Sequence, residues 1–130
     1  MHPRAKEVHG GEFDWFAVDA SGNLALFSTA GEGVVPDSVL RSLEDYESMS
    51  RSFEAPRWGT GEIWKDYAEL GLFVFDWTLP SGSYRKLISP TAPASSVLKA
   101  KLLGLAGLPR FGFSFRDVEL LEGAEIGASA

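Results

Sequence analysis

Apolar and polar residues alternate along this chain in blocks whose period changes from two to about 3.6 and back. Phe13-Asp14-Trp15-Phe16-Ala17-Val18-Asp19 and Leu24-Ala25-Leu26-Phe27-Ser28 are rich in aromatic and branched residues. They are separated by Ala20-Ser21-Gly22-Asn23, small and turn-forming, so a β-hairpin is predicted. After the loop from Thr29 to Pro36, the residues Val39, Leu40, Leu43, Tyr46, Met49 and Phe53 recur at steps of three and four. That spacing puts them on one face of a helix capped by Asp37 and ending near Pro56. A second helix, capped by Thr60 and closed by Gly71, carries Ile63, Trp64, Tyr67 and Leu70. Leu72-Phe73-Val74-Phe75-Asp76-Trp77-Thr78-Leu79 is apolar almost throughout, as a central strand covered on both faces would be. Pro80-Ser81-Gly82 turns the chain, and Ser83 to Ile88 returns as its partner.

Ser95 or Ser96 can cap a short third helix bearing Val97, Leu98, Leu102 and Leu105. Phe111-Gly112-Phe113-Ser114-Phe115-Arg116 alternates strictly, which predicts a half-buried fifth strand that can extend through Val118 and Leu120. Residues 1–12 and 123–130 show no periodicity and are expected to form a loose arm and tail around one domain, residues 13–122. Strands that come in hairpin pairs, broken by helices, define an α+β class. The expected architecture is a mostly antiparallel sheet of about five strands with two or three helices packed on one face. Phe13-Asp14-Trp15 and Phe75-Asp76-Trp77 also form a short internal echo, each followed by a Ser-Gly turn.

Composition narrows the function. At 130 residues with 45% hydrophobic residues, the chain has the size and apolar content of one self-sufficient core. Zero cysteines remove disulfides, thiolate nucleophiles and cysteine-based zinc sites. Its longest apolar runs fall short of a membrane span, and the start, Met1 to Glu7, lacks the apolar core of a signal peptide, so a cytoplasmic protein is expected. The net charge of -6 repels phosphate backbones and speaks against a general nucleic-acid binder. The charge is uneven: Arg85, Lys86, Lys99, Lys101, Arg110 and Arg116 occur in a stretch without any acid, and the acids are concentrated before it. Such asymmetry can orient a charged partner on approach.

Catalytic vocabulary is sparse. Both histidines, His2 and His9, fall in the arm, which nearly excludes a Ser-His-Asp triad inside the domain. Gly31-Glu32-Gly33 sits between a strand and a helix but has no following lysine and carries an acid where a phosphate would sit. No metal or cofactor is expected. Carboxylates remain as acid-base candidates, Asp14 and Asp76 above all, since each interrupts an aromatic run. If their strands are neighbours, they could share a pocket with Trp15, Phe75 and Trp77 and serve a small ligand or a carboxylate-based or metal-assisted reaction. Trp58, in a glycine-flanked loop after Arg57, is expected either to plug the end of the core or, if exposed, to serve as an interface anchor. Glu44, Asp45 and Glu47 form an acidic helix face suited to a basic partner.

The stretch from Asp14 to Gly33, Asp14-Trp15-Phe16-Ala17-Val18-Asp19-Ala20-Ser21-Gly22-Asn23-Leu24-Ala25-Leu26-Phe27-Ser28-Thr29-Ala30-Gly31-Glu32-Gly33, resembles a group of small bacterial single-domain proteins similar to the immunity-type proteins that accompany secreted toxins. A looser echo covers Gly71 to Trp77. The resemblance implies a protein-binding module that neutralises a toxin; the acidic surface of Glu44, Asp45 and Glu47, with Trp58, is the expected contact for a basic toxin or enzyme partner. The rival expectation is the pocket reading around Asp14 and Asp76. Sequence leaves the partner's identity and the oligomeric state open.

Overall fold

A computed structural model describes residues 13–53, 55–78 and 82–129; the arm, with His2 and His9, lies outside them. The elements are β1 (Asp14–Val18), β2 (Leu24–Ser28), α1 (Asp37–Leu40), α2 (Leu43–Arg51), α3 (Ile63–Glu69), β3 (Leu72–Thr78), β4 (Ser83–Ile88), α4 (Ser96–Leu103), a 3-10 turn (Phe115–Asp117), β5 (Leu120–Glu122) and α5 (Gly123–Ser129). The strands form one sheet in the order β1-β2-β3-β4-β5, with β3 at its centre as expected. Every pairing is antiparallel except β2 with β3, which run parallel because α1, α2 and α3 intervene between them. The fold is α+β with a mixed five-stranded sheet. No helix among the described residues is long and apolar enough to cross a membrane.

Register fixes which side chains share a face. Trp15, Phe27 and Phe75 lie in one row across β1, β2 and β3. Their rings stack at 4.2 Å and 4.9 Å between centroids, and Tyr84 meets Phe27 edge-on at 5.2 Å. Phe111 and Phe115 close this aromatic side, where each ring pair adds roughly 0.5–1.5 kcal/mol beyond its area. The other face carries Phe16, whose ring packs on Tyr46 of α2 and on Phe53. Helices α2 and α3 thus cover one face, while the segment from Pro109 to Phe115 curls under the other, where α5 begins beside Trp77.

Asp19 ties that segment down. Its buried carboxylate accepts hydrogen bonds from the amides of Ser21 and Asn23 in the hairpin turn and, across the molecule, from the amide of Phe115 at 2.8 Å. The Ser114 hydroxyl and the Asn23 side chain complete the set. The expected strand over residues 111–116 is therefore replaced. Pro109 and Phe111 bond the end of β1 at Val18, Phe113 bonds Ala20 beyond it, and Asp19 then holds Ser114 and Phe115 where the 3-10 turn starts. The fifth strand is Leu120–Glu122, beyond the 3-10 turn, so of the expected strand and its extension only Leu120 belongs to it.

Three other expectations change. The single helix from Asp37 is two, because Ser42 leaves helical geometry at φ −130°, ψ 34°. The apolar spacing runs straight through that break, since Val39 before it and Leu43 and Tyr46 after it are all buried. Asp37 and Thr60 make no side-chain cap; Pro36 and Glu62 occupy the cap positions. The expected loose tail contains α5, anchored by the buried Ile126 and by the Glu122 amide donating to the Glu125 carboxylate, half of a capping box. Ser95 does cap α4 through the amide of Leu98, and Gly71 does end α3 at φ +98°. A Cβ at Gly71 would stand 2.3 Å from the backbone nitrogen of Ala94, so only glycine fits there.

Candidate functional site

Asp14, Ser28 and Asp76 are register partners on β1, β2 and β3, so they form a row on the helix-bearing face. The two Phe-Asp-Trp echoes thus lie side by side on either side of β2 and run in opposite directions. At about 4.8 Å per strand, the aspartate Cα atoms are about 10 Å apart. This row floors a cleft of about 440 Å³. Its roof is the start of α3, with Ile63, Trp64 and Tyr67, and its rim is the loop of Trp58, Gly59 and Thr60.

Trp15 and Trp77 do not line this cleft. Neighbouring residues in a strand point to opposite faces, so a pocket holding Asp14 and Asp76 cannot also hold Trp15, Phe75 and Trp77. Trp15 is instead fully buried and donates its indole N–H to the Tyr84 hydroxyl at 3.1 Å, while Trp77 packs on the same tyrosine ring. The aromatic partners of the two aspartates are Trp58, Trp64 and Tyr67. Sequence reasoning missed Trp64 and Tyr67 because their helical spacing read as core. Tyr67 is indeed nearly buried; burial first, then the negative charges of Asp14 and Asp66, push its phenol up to about 12.

Trp58 is 77% exposed and plugs no core. Its loop is nevertheless tightly braced. Asp66, buried on α3, accepts from the backbone amide of Arg57 at 2.7 Å and from its guanidinium at 2.6 Å. Glu69 meets the same guanidinium at 3.4 Å. Trp58 itself donates its amide to Ala55, Thr60 donates both amide and hydroxyl to Arg57, and the Thr60 oxygen accepts from Glu62. A large apolar ring is held out in water by a loop that a buried carboxylate, Asp66, braces through the partly exposed Arg57.

On the other side of Asp14, a second hollow of about 390 Å³ is lined by Phe13, Asp14, Glu47, Ser50 and Arg51. The Ser50 hydroxyl donates to Asp14 at 3.2 Å, and Glu47 pairs loosely with Arg51 at 3.8 Å. The structure thus brings Glu47 and Trp58 to either side of Asp14. Glu44 and Asp45, also exposed, line a separate depression with Arg41, and Asp45 shares a further one with Lys101.

The remaining polar features divide between support and the far end of the sheet. In the Gly31 loop, the amides of Gly31, Glu32 and Gly33 are all bonded to Thr29, so they cradle nothing else. Ala30, which lines the aspartate cleft, is the one non-glycine among the described residues held at positive φ, +51°. The basic stretch does not act as one strip. Lys86 has only 8% of its side chain exposed, donates to the carbonyls of Phe115 and Arg116, and lies over the Phe73 ring at 5.6 Å. Lys99 and Arg116 line a cleft with Asn23 and Gly71, where β2 and β3 begin. The aspartate cleft lies where those parallel strands end, so acidic and basic clefts sit at opposite ends of the sheet. No group of three metal-ligating side chains occurs among the described residues.

Comparison with family models, with curated proteins and with solved structures returns no match to the chain.

Proposed function

We propose that this chain is a cytoplasmic protein-binding module that neutralises or regulates a basic protein partner, in the manner of an immunity-type protein, and that it binds through the Trp58 side of the aspartate cleft. The observation that carries this reading is the braced, exposed Trp58. Tryptophan is among the residue types most enriched in binding hot spots, and a loop already braced in place loses little entropy on association. Asp14 and Asp76 line the same cleft as that anchor, and Glu47 lies in the hollow on the far side of Asp14. Glu44 and Asp45 extend the negative field along α2, where exposed acids speed encounter more than they tighten the final complex.

Capture from native lysate at low and high salt tests the reading with three baits. The wild-type chain should retain a basic protein at low salt and release it at high salt. Trp58→Ala should lose that protein while melting at the wild-type temperature, because the ring contributes little to the core. Reversing Glu44, Asp45 and Glu47 to lysine should slow association and flatten its salt dependence without unfolding the chain. Retention of the same partner by Trp58→Ala sinks the assignment of this face.

One observation favours a second reading. Asp14 and Asp76 do line one cleft, and its volume lies within the range of small-ligand sites. A bound small molecule, or carboxylate chemistry upon it, would use the same floor without needing Trp58 as a protein anchor.

A further inference from the structure

We infer that the aspartate cleft binds a saccharide through one pyranose ring, an inference that rests on the small-ligand reading of the cleft above and names its guest. The observation that carries it is a pair of hydroxyls. Ser28 and Tyr67 are only 7% and 5% exposed, and both line the cleft. Among the described residues neither hydroxyl has a hydrogen-bond partner in the chain, yet no polar side-chain atom is walled in without one, so both open onto the space of the cleft. Hydroxyls placed this deeply take their partners from outside the chain, and a guest that supplies them offsets what burial costs.

The rest of the lining selects the guest. Asp14 and Asp76, on either side of Ser28 in register, add acceptors to the two hydroxyls. Both carboxylates already interact with other groups of the chain, Asp14 with the Ser50 hydroxyl at 3.2 Å among them, so the floor does not call for a cation. It calls for groups that donate and accept at once. A sugar hydroxyl gives its proton to a carboxylate and accepts one from Ser28 or Tyr67, and each bond strengthens the other. An ammonium or guanidinium only donates, and an apolar guest does neither. Above the floor, Trp58 and Trp64 supply indole rings, whose faces are negative. The C–H side of a pyranose is apolar and weakly positive, so it packs on such a face while the hydroxyls around its rim turn to the floor. The braced Trp58 loop sets one wall before the guest arrives, which spares the cost of ordering it on binding.

The test follows the full-length chain by proton-nitrogen NMR during addition of the methyl glycosides of glucose, galactose, mannose and N-acetylglucosamine. Tetrahydropyran-2-methanol, the same ring with a single hydroxyl, is the control. At least one glycoside should shift the indole N–H signals of Trp58 and Trp64 and the amide of Ser28 saturably at millimolar concentrations, and the control should bind about tenfold more weakly. Ser28→Ala and Tyr67→Phe, their folding verified in the same spectra, should each weaken that glycoside several-fold, and Asp117→Asn, on the 3-10 turn, should not. A disaccharide ending in the same sugar marks a glycan end as the guest if it binds more tightly, and a free sugar if it binds equally. Equal binding of the control, or wild-type affinity in both hydroxyl variants, overturns the inference. Two further probes, guanosine and N-acetyl-arginine methylamide, separate its failure from that of the small-ligand reading. If no glycoside binds but one of these shifts the same signals, only the sugar assignment falls; if nothing in the set shifts them, the small-ligand reading falls as well and the cleft is left to the protein partner.

Discussion

Asp19→Ala is expected to destabilise the fold by about 4 kcal/mol, near the upper limit for a single substitution. The carboxylate joins the first hairpin turn to the 3-10 turn, through Ser21 and Asn23 on one side and Ser114 and Phe115 on the other. Hydrogen bonds to a charged acceptor contribute about 1.5–3 kcal/mol each, and their removal leaves a buried Phe115 amide without a partner. Phe115, which contacts Phe27, Phe73 and Phe75, would then lose the restraint that holds its ring against β2 and β3. Urea unfolding followed by tryptophan fluorescence checks this through the shift in midpoint at unchanged slope. Asp19→Asn, which keeps an acceptor but loses the charge, should fall between. A wild-type midpoint for Asp19→Ala would mean that packing alone positions the segment after Pro109.

Alkaline pH should unfold the protein steeply from just above pH 10. The chain has three tyrosines, Tyr46, Tyr67 and Tyr84, and burial raises all three phenols. Tyr67 is pushed up to about 12 and the other two beyond the usual phenol range. The hydroxyl of Tyr84 donates to the Val34 carbonyl at 2.8 Å and that of Tyr46 to the Ala106 carbonyl at 3.1 Å, bonds that a phenolate cannot make. The unfolded chain ionises near pH 10, the folded one does not, so stability is full below pH 10 and falls as pH rises toward the folded values. Each tyrosine removes roughly 1.4 kcal/mol per pH unit in that window, and three together remove about 4 kcal/mol per unit. Absorbance at 295 nm should therefore show no independent tyrosine step near pH 10. Ionisation should appear cooperatively, together with loss of the near-ultraviolet circular dichroism. A gradual titration centred on pH 10 with the fold intact would show that these hydroxyls reach water.

What could be read from the sequence was local. The Ala20 to Asn23 turn, the Gly71 helix stop and the Ser95 cap follow from a few adjacent residues with fixed backbone demands, and all three stand in the structure. The alternation of Phe111, Phe113 and Phe115 reported their clustering correctly but not their backbone. What breaks the strand is Asp19, almost a hundred residues away in the chain, and no window along the sequence contains it. The interruption at Ser42 is hidden for a related reason: the apolar spacing continues across it, so periodicity sees one helix. In α5 only Ile126 is apolar and buried among the described side chains, too little for a periodic signal.

The candidate site was half legible. Asp14 and Asp76 stood out as charges inside aromatic runs, and their meeting at Ser28 depends on a parallel pairing of β2 with β3 that sequence does not announce. The two tryptophans first grouped with them were excludable by strand alternation alone. Trp58 was visible as a loop tryptophan, but its exposure rests on the bond between Asp66 and the Arg57 amide, a contact made only once α3 is placed.

The face around Trp58 is the surface on which a partner is expected to dock. A photo-reactive benzoylphenylalanine placed at position 58 tests it most directly, with the same group at Leu120, exposed on β5, as the comparison. Irradiation in native lysate should give one discrete adduct from position 58, weakened by high salt, and none from position 120. An adduct of equal yield from position 120, or none from position 58 under conditions where the wild-type chain captures its partner, would contradict the claim.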